Sequence, residues 1–110
     1  LIQSYGGGRF RIGGLAYEGS VLVAREDTRL WSVIDPGVIT LDSLDPVIGE
    51  PGILIVGCGN RFMTPPSDLR DGLKAQGIIL EWMDTGAACR TFNVLLTEER
   101  EAVAALIAVD

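Results

Sequence analysis

A chain of 110 residues is the size of one compact domain, and its 47% hydrophobic share with mean hydropathy +0.30 excludes a disordered polar tail. The net charge of -6 excludes nucleic acid as a ligand, because Arg9, Arg11, Arg25, Arg29, Arg61, Arg70, Arg90 and Arg100 are scattered rather than gathered into a basic patch. Histidine is absent, which removes the commonest general base and the commonest zinc ligand, so neither a Ser-His-Asp nor a Cys-His centre can be assembled.

In chain order, Arg9 to Ala24 ("RFRIGGLAYEGSVLVA") carries a Gly pair and a Val-rich end and predicts two strands around a turn, the second clearest over Ser20 to Ala24. After the polar "REDTR", the segment "LWSVID" (Leu30 to Asp35) predicts a short strand ended by Pro36 and Gly37. "TLDSLDPVIG" offers Thr40 as an N-cap with Asp42 in the first turn, and Pro46 keeps that helix short. "PVIGEPG" reads as a helix-to-strand connection. "GILIVGCG" is a continuous apolar run closed by glycines, the pattern of a strand buried on both faces in a parallel sheet.

"SDLRDGLKAQG" predicts a helix with Ser67 as cap, Gly77 as stop, and Leu69 and Leu73 on one face. "IILEWMD" predicts a second buried strand. Strand, helix and strand in this order make a right-handed unit with parallel strands. The loops "GCGNRFMTPP" and "MDTGAACR" then leave the same carboxyl edge of the sheet and face one another. Ala88, Phe92 and Leu95 form the apolar stripe of a further helix, capped by Thr85 and reaching about Leu96. The last segment stays open on periodicity alone, since Ala favours helix whereas the short apolar run Val103 to Val109 suits a strand.

No repeat or linker divides the chain, so residues 1–110 are read as a single domain. No apolar run reaches the roughly 20 residues that cross a bilayer, and Leu1 to Arg11 lacks the pattern of a signal peptide. The expectation is a cytoplasmic protein without a transmembrane segment. Cys58 and Cys89 are too few for a disulfide scaffold or a structural zinc site. A bridge between them would need Cα atoms within about 7 Å, and free cytosolic thiols are the expectation.

"YEGSVLV", "GILIVGCG", "PPSDLRDGLKAQGI" and "EWMDTGAACRTFNVLL" together resemble a family of small, uncharacterised bacterial and archaeal proteins related to the mitochondrial complex I assembly factor 3, over nearly the whole chain. The resemblance implies a three-layer α/β domain: a central mixed sheet, helices packed on it, and an extra β layer from the N-terminal strands. It also implies that Ala102 to Val109 is a strand. The mitochondrial relatives look like assembly factors that act by binding other proteins, whereas this family's bacterial members have no settled activity. Cys58 stands where the family more often has Thr, so a role common to the family would not rest on that thiol.

The residues that could carry chemistry cluster at the two facing loops. Gly57, Gly59, Arg61, Thr85, Cys89 and Arg90 are the candidate ligand-binding or anion-binding set: glycines permit close approach, a helix start offers free N–H groups, and two arginines can grip a carboxylate or phosphate. The alternatives are that the glycines only make a tight exit turn, that Arg90 is merely solvated, and that Asn93 bonds a neighbouring loop. Cys89 near a helix start beside Arg90 suggests a thiolate, and as a small buried residue it would instead fill space between helix and sheet. Asp84 reads as a turn former, and Trp31 and Trp82 as core or interface anchors. No catalytic residue, metal or cofactor is implied. The expected function is a non-enzymatic protein-interaction or assembly module with a small crevice between the 57–61 and 84–90 loops. The alternative is a small thiol-dependent enzyme or redox sensor using Cys89. A second copy could cover an exposed edge of the N-terminal strands, giving a homodimer.

Overall fold

Glycine pairs shape the N-terminal layer. β1 (Ile2–Gly6), β2 (Arg9–Ile12) and β3 (Leu15–Glu18) are joined by Gly7–Gly8 and Gly13–Gly14, all four at positive φ, the backbone state that tight hairpin turns demand and that glycine enters without steric penalty. The strands pair antiparallel in the order β1-β2-β3, and alternation turns Ile2, Phe10 and Ile12 inward. The computed structural model describes residues 1–47 and 52–110.

The chain continues through β4 (Val21–Val23) and β5 (Thr28–Leu30) to a 3-10 turn at Pro36–Val38 and a 3-10 helix at Asp42–Val47. Thr40 does serve the start of that helix: its Oγ1 accepts from the Ser43 N–H at 3.2 Å, while Ser43 Oγ accepts from the Thr40 N–H at 2.9 Å. The connection read at "PVIGEPG" falls mostly on residues 48–51, outside the described residues. Then come β6 (Ile53–Gly57), α1 (Leu69–Ala75), β7 (Ile79–Met83), α2 (Thr85–Thr97) and β8 (Ala102–Leu106).

A five-stranded mixed sheet forms the centre, in the order β5-β4-β8-β6-β7, with β6 parallel to both β7 and β8, and β4 antiparallel to β8 and β5. Successive side chains of a strand point to opposite faces, so the sheet feeds two cores. On one face, Leu54, Val56, Leu80, Val103 and Ala105 meet Leu69 and Leu73 of α1, with Leu44 and Trp31. On the other, Ile55, Ala104 and Leu106 meet Ala88, Cys89 and Phe92 of α2 together with Ile2, Phe10 and Ile12 of the small sheet. The three layers are therefore α1 with the 3-10 segments, the mixed sheet, and α2 alongside the N-terminal sheet. This is the architecture that the resemblance implied.

Several local expectations are corrected. Three strands, not two, lie between Arg9 and Ala24, and β1 precedes them. The strand expected at Leu30 to Asp35 ends at Leu30. Beyond it Trp31 and Val33 still alternate inward: the Trp31 N–H keeps a bond to the Ser20 carbonyl at 2.8 Å while its ring N–H donates to the Ser43 carbonyl in the 3-10 helix. β7 is an edge strand, with Ile79 and Glu81 exposed, because β8 rather than β7 takes the interior position beside β6 and is buried at all five residues. Ser67 does not cap α1. The residue before that helix is Asp68, at φ 68° and with no side-chain cap bond.

Candidate functional site

The two loops expected to face each other do meet, and they meet by direct contact. β6 runs out at Gly57, where an added Cβ would lie 2.8 Å from the Thr85 Cα and 2.9 Å from its Oγ1. No side chain fits there, so the glycine is what lets α2 begin directly over the end of β6. Gly59, at φ 116°, turns the loop back so that its carbonyl accepts from the Thr85 N–H at 2.9 Å and its N–H donates to Thr85 Oγ1 at 3.0 Å. Thr85 is fully buried, and its hydroxyl donates in turn to the Ile107 carbonyl at 2.8 Å. One side chain thus ties the exit of β6, the start of α2 and the end of β8. Cys58 N–H to Met83 carbonyl at 2.8 Å and Ile107 N–H to Gly57 carbonyl at 3.0 Å complete the seam. Where a crevice was expected, Thr85 fills the space over Gly57 and is itself buried, while the space beside Gly59 is open.

Thr85 is not the helix cap. Asp84 holds that position in extended backbone, and its Oδ1 accepts from the Ala87 N–H at 2.9 Å. The Thr85 hydroxyl is drawn into the seam instead, because a buried hydroxyl left without partners is costly. With the Ala88 N–H on the Asp84 carbonyl at 2.9 Å, most of the first-turn donors are engaged within the protein. A carboxylate already occupies the positive end of the helix, so an anion approaching α2 meets Asp84 first.

The other candidate residues divide between the two faces of the sheet. Cys58 is buried in the core on the α1 side, and its thiol donates to the Arg61 carbonyl at 3.4 Å. Cys89 is buried in the core on the α2 side. Both are free thiols, and the sheet between them separates their side chains. Burial pushes the Cys89 thiol up to about 12, outweighing the Arg90 cation that would lower it, with the Asp84 carboxylate adding to the rise. The thiolate reading of Cys89 is not supported, because desolvation exceeds the field of the helix end, and its place in the core matches the other reading, a small buried residue filling space between helix and sheet. A neutral, buried sulfur does not support the thiol-enzyme alternative.

Arg90 is exposed and reaches Tyr5 Oη at 3.3 Å, and Tyr5 itself lies against Gly86, where a Cβ would sit 2.8 Å from its hydroxyl. Arg61 is exposed on the loop tied to the α1 side. Neither guanidinium shares a hydrogen-bond partner with Thr85. Asn93 bonds the backbone of the protein, at strand β1 rather than at a loop. Its amide accepts from the Ile2 N–H and donates to the Ile2 carbonyl, both at 2.8 Å, which closes the outer edge of β1 in the manner of an extra strand. Trp31 and Trp82 are core residues, their ring N–H groups donating to the carbonyls of Ser43 and Met63. Sequence reasoning missed the role of Asp84, although Asp is among the best caps, and it missed that Phe62 and Met63 stand out in solvent at 63% and 51% exposure.

Almost the whole domain has relatives. Residues 2–107 match the family described as "protein of unknown function (DUF498/DUF598)". The chain belongs to the DUF498/DUF598 family. Among its relatives, an uncharacterised protein of Rhodobacter capsulatus is 36% identical over 106 residues, covering 96% of this chain and 82% of that protein. The NADH dehydrogenase (ubiquinone) 1 alpha subcomplex assembly factor 3 of Danio rerio is also 36% identical, over 97% of this chain and 63% of the assembly factor. The chain therefore spans a little under two thirds of that relative. A crystal structure from Bartonella henselae, described as an outer membrane protein, superposes with TM-score 0.91 at 34% identity, covering 99% of this chain and 94% of that one. In this DUF498/DUF598 member, among the described residues, no helix is long and apolar enough to cross a membrane.

Proposed function

We propose that this DUF498/DUF598 protein is a non-enzymatic assembly module that acts by binding other proteins in the cytoplasm, among them components of an NADH:ubiquinone oxidoreductase. The observation that carries the reading is the 36% identity to an assembly factor of that enzyme over 97% of the chain. The fate of the motif residues adds to it. Gly57, Gly59, Thr85 and Cys89 are consumed in holding the sheet to α2, which leaves Arg61 and Arg90 as the exposed members of the candidate set. The module meets its partners with the rim of the 57–61 and 84–90 loops rather than with a cleft between them. Deleting the gene from its own organism tests the function. Assembled oxidoreductase, followed by native gel and by NADH oxidation in membranes, is expected to fall and to return when the gene is restored. Unchanged assembly and activity in the deleted strain would overturn the reading.

A further inference from the structure

The loop after β6 presents an apolar side chain between two fixed points. The Arg61 carbonyl accepts from the buried Cys58 thiol, and the Met63 carbonyl accepts from the ring N–H of the buried Trp82. Phe62, between these anchors, is 63% exposed, and Met63 is 51% exposed. The two anchored carbonyls fix the backbone on either side of Phe62, so binding has less backbone freedom to take away there. The charge pattern of this segment of the sequence differs from the rest of the chain. The chain carries 15 acidic residues, yet none lies between Glu50 and Asp68, where Arg61 is the sole charge. The two ion pairs among the described residues, Arg9–Glu18 and Arg29–Asp27, leave Arg61 out. On the neighbouring outer edge of β7, Arg70 of α1 donates to the Leu80 carbonyl at 2.6 Å, which occupies part of the backbone that an added strand would need.

We propose that Arg61, Phe62 and Met63 form a docking surface for a partner protein that offers an apolar socket with carboxylates at its rim. This deepens the assembly reading and rests on it. Phe62 is the anchor, Met63 adapts to the socket wall, and Arg61 pairs with the rim and selects against basic surfaces. A second copy of this chain is a poor occupant. An isologous contact centred on the patch would bring Arg61 toward Arg61 with no nearby carboxylate from the same loop to offset it. A bilayer is also disfavoured, since a chain of net charge -6 is repelled by anionic lipid and one arginine does not reverse that.

Site-specific photocrosslinking in the protein's own cells tests the surface. Phe62→p-benzoylphenylalanine is compared with the same replacement at Leu15 and Leu30, each also 63% exposed, and the crosslinked peptides are mapped by mass spectrometry. The expected result is an adduct from position 62 to another protein, in a segment that is apolar and carries Asp or Glu within a few residues. Its yield should fall about tenfold with Arg61→Glu and hold with Arg29→Glu. Adducts to lipid or to a second copy, a crosslinked segment without carboxylates, indifference to Arg61→Glu, or no adduct from position 62 would each overturn the surface. Protein adducts from Leu15 or Leu30 alone would sink this surface and leave the assembly reading standing, whereas unchanged oxidoreductase in the deleted strain sinks that reading by itself.

Discussion

The two helices cover opposite faces of the same sheet and are held in different ways. α1 is seven residues long, starts after Asp68 without a side-chain cap, and is secured mainly by Leu69 and Leu73. α2 is thirteen residues long and tied by polar contacts along its length: Asp84 caps its start, Thr85 joins it to β6 and β8, and Asn93 clamps β1. Apolar packing is non-directional and tolerates small shifts, whereas buried hydrogen bonds demand their partners in place. α2 therefore sets the register between the two sheets, and α1 covers a face. The motif "DTGAACRTFN" owes its composition to that task.

Four measurements would break or sharpen the contrast. The largest effect is expected from Thr85→Val, which keeps the shape but leaves the Ile107 carbonyl and the Gly59 N–H unpaired in the interior. Urea unfolding should show a loss of about 2–4 kcal/mol, against less than about 0.5 kcal/mol for Ser67→Ala at the start of α1. Equal losses would mean that the seam is no more demanding than an uncapped helix start.

Alkali should act through α2. In the folded protein Cys89 keeps its proton to about 12, against an ordinary value of 9.0, so between those values the unfolded chain binds fewer protons than the native one. Stability is then fully present below about pH 9 and falls as pH rises toward 12, at a slope of at most about 1.4 kcal/mol per pH unit for this one group. Cys89→Ala should flatten the pH dependence of unfolding over that range; an unaltered slope would show that the sulfur ionises readily in the fold.

Asp84→Ala should cost about 1 kcal/mol through the lost cap, while Asp68→Ala should stay within about 0.5 kcal/mol. A reversed order in thermal melts would contradict the cap assignment.

The smallest effect concerns the helix ends, which share one motif. After α1, the N–H groups of Gly77 and Ile78 donate to the carbonyls of Lys74 and Leu73, with Gly77 at φ 79°. After α2, the N–H groups of Glu99 and Arg100 donate to the carbonyls of Leu96 and Leu95, with Glu99 at φ 59°. Both are Schellman endings, and one places a glutamate where glycine fits. Glu99→Gly should therefore stabilise by about 0.5–1 kcal/mol, and Gly77→Ala should destabilise by about 1 kcal/mol. A glycine at 99 that lowers the melting temperature would show that Glu99 makes contacts worth more than its strained backbone.

Those two endings also mark how far the sequence could be read. Gly77 announces the end of α1, but nothing about Glu99 announces the end of α2, because a glutamate has no preference for the left-handed backbone it adopts there. The three-layer class came from the family resemblance, while by itself the sequence determined the parallel strand-helix-strand unit with the apolar strands around Ile55 and Leu80, together with the stripe of α2. These rest on local period and on turn residues, which act over a few positions. It also brought the 57–61 loop to the 84–90 loop, since strand, helix and strand leave little choice of where the loops emerge.

The resemblance, not the local pattern, implied a strand at Ala102 to Val109, and only the tertiary structure ended it at Leu106 and placed it at the centre of the sheet. A strand buried on both faces shows no alternation, and the small side chains suit a position pressed from both sides. Tertiary packing likewise decided that Thr85 is buried, that Cys89 is a neutral core thiol, and that Phe62 faces solvent. Each of these depends on which residues distant in sequence close over the side chain, and local pattern carries no record of that.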